Sequence, residues 1–236
     1  MILFSSVEIV LVAAAVIPAV ALMLYVYRKD HLEKEPTPLL WRLIVQGVVA
    51  TALAVFAERL GAKVLSGMVN EKSLLYAILF YGVVVGLSEE GFKYLLLKRR
   101  TWNSPDFNCR FDGVVYAVFV SMGFALWENI DYVVMYGLQT AFVRALTAVP
   151  GHACFGVFMG AWYGLAKSHE RHGNPSSSKF CRVMAVVCPA LLHGVYDVIA
   201  ALGGGSLSWI FVAFIAVMFL AAYGMVKRLS VQDRYL

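Results

Sequence analysis

Seven apolar runs, at residues 7–27, 38–58, 74–97, 112–135, 142–166, 183–202 and 206–226, leave this chain little choice of fold. Each is close to the ~20 residues a helix needs to cross the hydrocarbon of a bilayer. Together they predict an all-α, polytopic transmembrane helix bundle of about seven helices. Composition agrees: 61% apolar and 15% charged residues with a mean hydropathy of +0.73 lie outside what a soluble domain of 236 residues would show. The first run has no basic residues ahead of it, carries Glu8 and is too long for a cleaved signal, so it is expected to persist as a helix. No stretch between runs is long enough for a separate soluble domain. Residues 1–236 therefore read as a single transmembrane domain, without internal repeats.

The net charge of +5 does not indicate nucleic acid, because the basic residues sit in short clusters at the ends of apolar runs. Arg28/Lys29/Lys34, Lys98/Arg99/Arg100/Arg110, Lys167/Arg171/Lys179/Arg182 and Lys227/Arg228/Arg234 mark every second connection as cytoplasmic. The expected orientation is N-terminus outside and C-terminus inside, although Arg59, Lys63 and Lys72 on an outer loop weaken the pattern. Cys109, Cys154, Cys181 and Cys188 form no C-x-x-C pair, and no disulfide framework is implied. His31, His169 and His172 lie in connections and read as surface. Gly203-Gly204-Gly205 reads as a tight outer turn, and Arg144 as an interfacial arginine that snorkels or pairs with Asp131 in preference to gripping a substrate carboxylate or backbone.

Against this background the intramembrane charges stand out, since charge at that depth is costly and is usually kept for a task. In Ser88-Glu89-Glu90-Gly91-Phe92-Lys93 the helical turn of ~100° per residue puts Gly82, Gly86, Glu89 and Lys93 within about 40° of one line. Glu89 thus faces a helix interface that two glycines allow to be close, and Glu90 falls at its edge. The fourth run has Phe124 and Glu128 one turn apart. The fifth has the ladder His152, Gly156, Gly160, Gly164, and the sixth has His193 and Asp197 on one face. Helices one, two and seven carry few polar groups and read as scaffold or docking walls.

Counting ~1.5 Å per residue from the basic ends places Glu89, His152 and His193 roughly 12–22 Å deep, with Glu128 near 24 Å. Two glutamates and two histidines from four helices therefore converge on one level. Imidazole and carboxylate are donors that zinc accepts. Glu128, His152 and His193 could bind Zn2+, with Asp197 orienting His193 or completing the set. Glu89 would then be the base acting on bound water, and Glu90 and Lys93 would set its charge or bind the developing oxyanion.

Glu89-Glu90-x-x-Lys93, Phe124-x-x-x-Glu128-Asn129, His152-x-x-x-Gly156 and His193-x-x-x-Asp197 resemble the signature of the PrsW family of bacterial intramembrane (site-1) proteases. That family is distantly similar to the type II CaaX prenyl proteases, which typically have histidine where Glu128 stands. The resemblance implies a multi-pass protein of the bacterial cell membrane, a catalytic core at about 74–202, and peptide-bond hydrolysis in a membrane-anchored protein such as an anti-sigma factor. Two alternatives stay open on the residues alone. Glu89 could activate water without a metal, or the midplane acids and histidines could relay protons in a transporter.

Overall fold

The computed structural model describes residues 6–203 and 206–236, so the expected glycine turn lies outside the described residues at 204 and 205. Among the described residues seven helices follow one another: α1 (Ser6–Lys29), α2 (Thr37–Ser66), α3 (Leu74–Thr101), α4 (Asp112–Tyr136), α5 (Leu138–Arg171), α6 (Pro175–Ala201) and α7 (Ser206–Val231). Helices α2 to α7 are each long and apolar enough to cross a membrane. The all-α polytopic bundle expected from the apolar runs is what the chain forms.

α4 is the hub. Within its most apolar stretch 78% of residues are buried, against 22% in α7, whose large side chains such as Trp209, Val217 and Leu220 face outward. An apolar face open to lipid loses nothing by exposure, whereas the hub must be filled. α4 packs against α1, α2 and α5, and α6 bridges α5 to α3. Close approach depends on glycine at several contacts, of which two show the fit. A Cβ on Gly194 would lie 2.1 Å from the Gly82 carbonyl oxygen, and one on Gly164 would lie 2.1 Å from that of Arg110. We expect Gly194→Val to force α6 off α3 and to cost about 1–3 kcal/mol of stability, read as an earlier unfolding transition in detergent. An unchanged transition would show that this crossing is not tight.

Two helices depart from regular α geometry. In α3, Phe80–Val85 forms a π segment that ends where Gly86-Leu87-Ser88-Glu89 begins; such wide turns re-aim the side chains that follow. α5 breaks at Thr147, between Leu138–Leu146 and Ala148–Arg171. Pro150 accounts for the break, because it has no N–H to offer the Leu146 carbonyl and its ring crowds that oxygen.

The basic clusters all gather at one end of the bundle, which is tied across several connections. Lys167 Nζ donates to the Trp102 carbonyl at 2.8 Å, and Trp102 Nε1 to Glu170 at 3.0 Å. The chain terminus is pinned there too, through Leu236 N–H to the Asn108 carbonyl (2.8 Å) and Phe111 N–H to Asp233 (2.8 Å). All four cysteines are free thiols.

Candidate active site

The polar groups of the inner helices meet in one cluster. From α3, the adjacent Glu89 and Glu90 lie one turn before Lys93, so the Lys93 ammonium reaches both carboxylates, at 3.2 Å from Glu89 and 2.7 Å from Glu90. From α5, His152 presents Nδ1 to the same ammonium at 3.1 Å and Nε2 to Glu128 of α4 at 2.8 Å. A protonated amine can only donate, so Nδ1 accepts, and the ring proton on Nε2 goes to Glu128. From α6, His193 Nδ1 lies 3.0 Å from Glu90 and 3.8 Å from Glu89, while its Nε2 lies 3.4 Å from Asp197.

Aromatic rings fix these groups. Phe155 stacks on His193 with centroids 4.6 Å apart, and the Lys93 ammonium sits 3.9 Å from the centre of the Phe124 ring. The two imidazoles stand edge to face at 5.2 Å. One donor atom each from Glu89, Glu90, His152 and His193 falls within a common 4.8 Å. Glu128 joins through its contact with His152, and Asp197 through His193. All seven residues singled out in the sequence are thus in one connected network.

Burial separates their positions. A cavity of about 410 Å3 is lined by Glu89, Glu128, His152, His193 and Asp197, whereas Glu90 and Lys93 are fully buried behind its wall. Glu90, expected at the edge of the interface, is instead enclosed, because α6 covers the face that an isolated helix would leave open. Its Oε2 is buried without a hydrogen-bond partner among the described residues.

Two site residues were not anticipated. Arg144 neither snorkels nor pairs with Asp131. Its guanidinium forms an ion pair with Glu128 at 2.9 Å, donates from Nε to Asn129 at 3.0 Å and lies 3.9 Å from the Tyr132 ring. The break at Thr147 turns the Leu138–Leu146 segment so that Arg144 reaches back to the site. Asn129 in turn donates to the Ala15 carbonyl of α1, which fixes its orientation. The second residue is Glu58. α2 is not only scaffold, since Thr51, Val55, Glu58 and Arg59 line the cavity. Thr51 and Glu58 are seven residues apart, hence on one helix face, which was the available signal. It went unused because α2 was expected to end at 58, whereas the helix continues to Ser66.

Comparison with known proteins identifies the family. The family described as PrsW family intramembrane metalloprotease matches residues 35–223. Protease PrsW of Halalkalibacterium halodurans is 33% identical over 230 residues, covering 95% of this chain and 99% of that protein. Protease PrsW of Oceanobacillus iheyensis is 32% identical over 218 residues, 92% of this chain and 95% of its own. That of Bacillus subtilis is 33% identical over 218 residues, 92% and 93% of the two chains. No solved structure matches. A match spanning the whole of the polar network and most of the bundle makes this chain a member of the PrsW family of intramembrane proteases.

Proposed function

We propose that this protein hydrolyses a peptide bond in a membrane-anchored protein, such as an anti-sigma factor, using Glu89 as the base that activates water. The observation that carries this reading is the asymmetry of the acidic pair. Glu89 borders the cavity, while Glu90 and Lys93 are sealed behind it. Of this pair, water and an unwound substrate strand can reach only Glu89. Lys93 then acts as a positioning residue, holding the base and His152 in register, and Glu90 anchors both Lys93 and His193. Arg144 fixes the carboxylate of Glu128, and His193, which faces the cavity 3.8 Å from Glu89, is a donor that can bond a developing oxyanion. The basic end of the bundle is cytoplasmic in this reading, which puts Tyr136 and the open side of the cavity toward the outside.

The donor chemistry fits a zinc ion. Two imidazoles and the carboxylates of Glu89, Glu128 and Asp197 face one cavity, and donor atoms of His152, His193, Glu89 and Glu90 lie within 4.8 Å of one another. The residues to hold it are Glu128, His152, His193 and Asp197. When bound, zinc would act as a Lewis acid and lower the pKa of its water to about 7. One observation favours a second reading without metal. Lys93 and Glu128 occupy both ring nitrogens of His152, and carboxylates flank both nitrogens of His193. The chain thereby supplies its own counter-charge, and Glu89 would act on water directly.

Metal content decides between them. Under the zinc reading, purified wild type carries about one zinc per chain, and His152→Ala and His193→Ala lose both the zinc and cleavage of a membrane-anchored test substrate. Full activity in wild type with no bound metal would leave only the second reading. Wild-type cleavage in His193→Ala would remove the site itself.

A further inference from the structure

Three further carboxylates meet at the basic end of the bundle, away from the cavity. Asp30 and Glu35 come from the connection between α1 and α2, and Asp112 opens α4. An oxygen from each lies within 4.8 Å of the others, and the residues are 1%, 4% and 1% exposed. Asp112 accepts backbone N–H groups from Asn108 (3.0 Å) and Cys109 (2.6 Å), and Glu35 accepts the Tyr116 hydroxyl at 2.6 Å. Asp30 has no such support. Both of its carboxylate oxygens are buried without a hydrogen-bond partner among the described residues. Lys34 lies beside it, but the ammonium donates to the backbone carbonyls of Tyr27 and Asp30 and covers the Tyr27 ring. Glu33 and Asp233 add negative charge nearby.

A buried carboxylate with no hydrogen-bond donor, whose neighbouring ammonium is engaged by backbone carbonyls, is expensive to keep. Three oxygen donors converging on one point suit a small hard cation, for which carboxylate oxygens are the preferred ligands. An orphaned, fully enclosed carboxylate aimed at two others is what such an ion would satisfy.

We propose that Asp30, Glu35 and Asp112 form a binding site for one hard divalent cation, Mg2+ or Ca2+, that clasps the α1–α2 connection onto the start of α4. Asp112 precedes Glu128 by sixteen residues, about 24 Å along the helix, so this site is distinct from the Glu89 cavity. Its role is to set the position of the helix that carries Glu128 and Asn129.

The test uses full-length protein in detergent, stripped with EDTA and then dialysed against Mg2+ or Ca2+. Wild type is expected to bind about one cation per chain and, at a hundredfold excess over Kd, to unfold about 5–10 °C later. Comparing the two arms identifies the ion. Asp30→Asn should abolish both binding and shift and, in EDTA, should unfold no earlier than wild type, because a neutral amide replaces an orphaned charge. His193→Ala should keep the shift. Absence of binding by wild type to either cation would overturn the proposal. So would a shift that survives in Asp30→Asn. Should Asp30→Asn fail to fold, Asp112→Asn and the wild-type dialysis decide in its place.

Discussion

Glu89→Gln is expected to lower the rate of substrate cleavage by about 10²- to 10⁴-fold, the usual contribution of a positioned general base, while leaving the fold intact. The substitution keeps the side-chain volume and one carbonyl oxygen that can still accept from Lys93, which lies 3.2 Å from the carboxylate. What it removes is the basic oxygen facing the cavity. Glu90→Gln is the informative partner. Its side chain is fully buried and off the cavity, so it should act through Lys93 and His193, with a larger effect on stability than on the rate of the folded fraction. Cleavage of a membrane-anchored substrate in proteoliposomes, normalised to folded protein, separates the two. Glu89→Gln at wild-type rate, or the opposite ranking of the pair in rate, would assign the base elsewhere.

Much of this site was legible in the sequence because membrane burial makes charge conspicuous. Glu89, Lys93, Glu128, His152, His193 and Asp197 each interrupt an apolar run, and helix geometry alone put Glu89, His152 and His193 at a shared depth with Glu128 a little nearer the outside. Glu90 was placed less well. A single-helix projection knows only one interface, whereas here α6 covers a second face and His193 reaches Glu90 at 3.0 Å. The projection also assumed a constant turn through Phe80–Val85, where the chain is a π segment. Arg144 was misjudged for a related reason, since its contact with Glu128 depends on the break at Thr147 and not on its distance from a helix end. Glu58 was lost to a boundary, because hydropathy falls before the helix does. The Asp30, Glu35 and Asp112 cluster left no local pattern at all. It exists only because the α1–α2 connection folds against the start of α4, and Asp112 is far in the chain from Asp30 and Glu35.

Lys93→Met should destabilise the protein by about 3–5 kcal/mol, the cost of leaving a buried charge without its partner. The ammonium is the common partner of Glu89, Glu90 and His152, at 3.2, 2.7 and 3.1 Å, and none of its surface reaches the cavity. Methionine fills the volume against the Phe124 ring but leaves Glu90 anionic, enclosed and held only by His193. The effect should therefore be non-additive. Adding Glu90→Gln to Lys93→Met removes the stranded charge and should recover a large part of the loss, with a coupling on the order of 1–3 kcal/mol. Lys93→Arg is not a conservative control, because a planar guanidinium is larger than the space the ammonium occupies and presents its donors in a fixed fork. Unfolding by denaturing detergent, followed in the two single variants and the double, measures the cycle. If Lys93→Met unfolds with wild type, or if the double variant is no more stable than Lys93→Met, the acidic pair is not held by this ammonium.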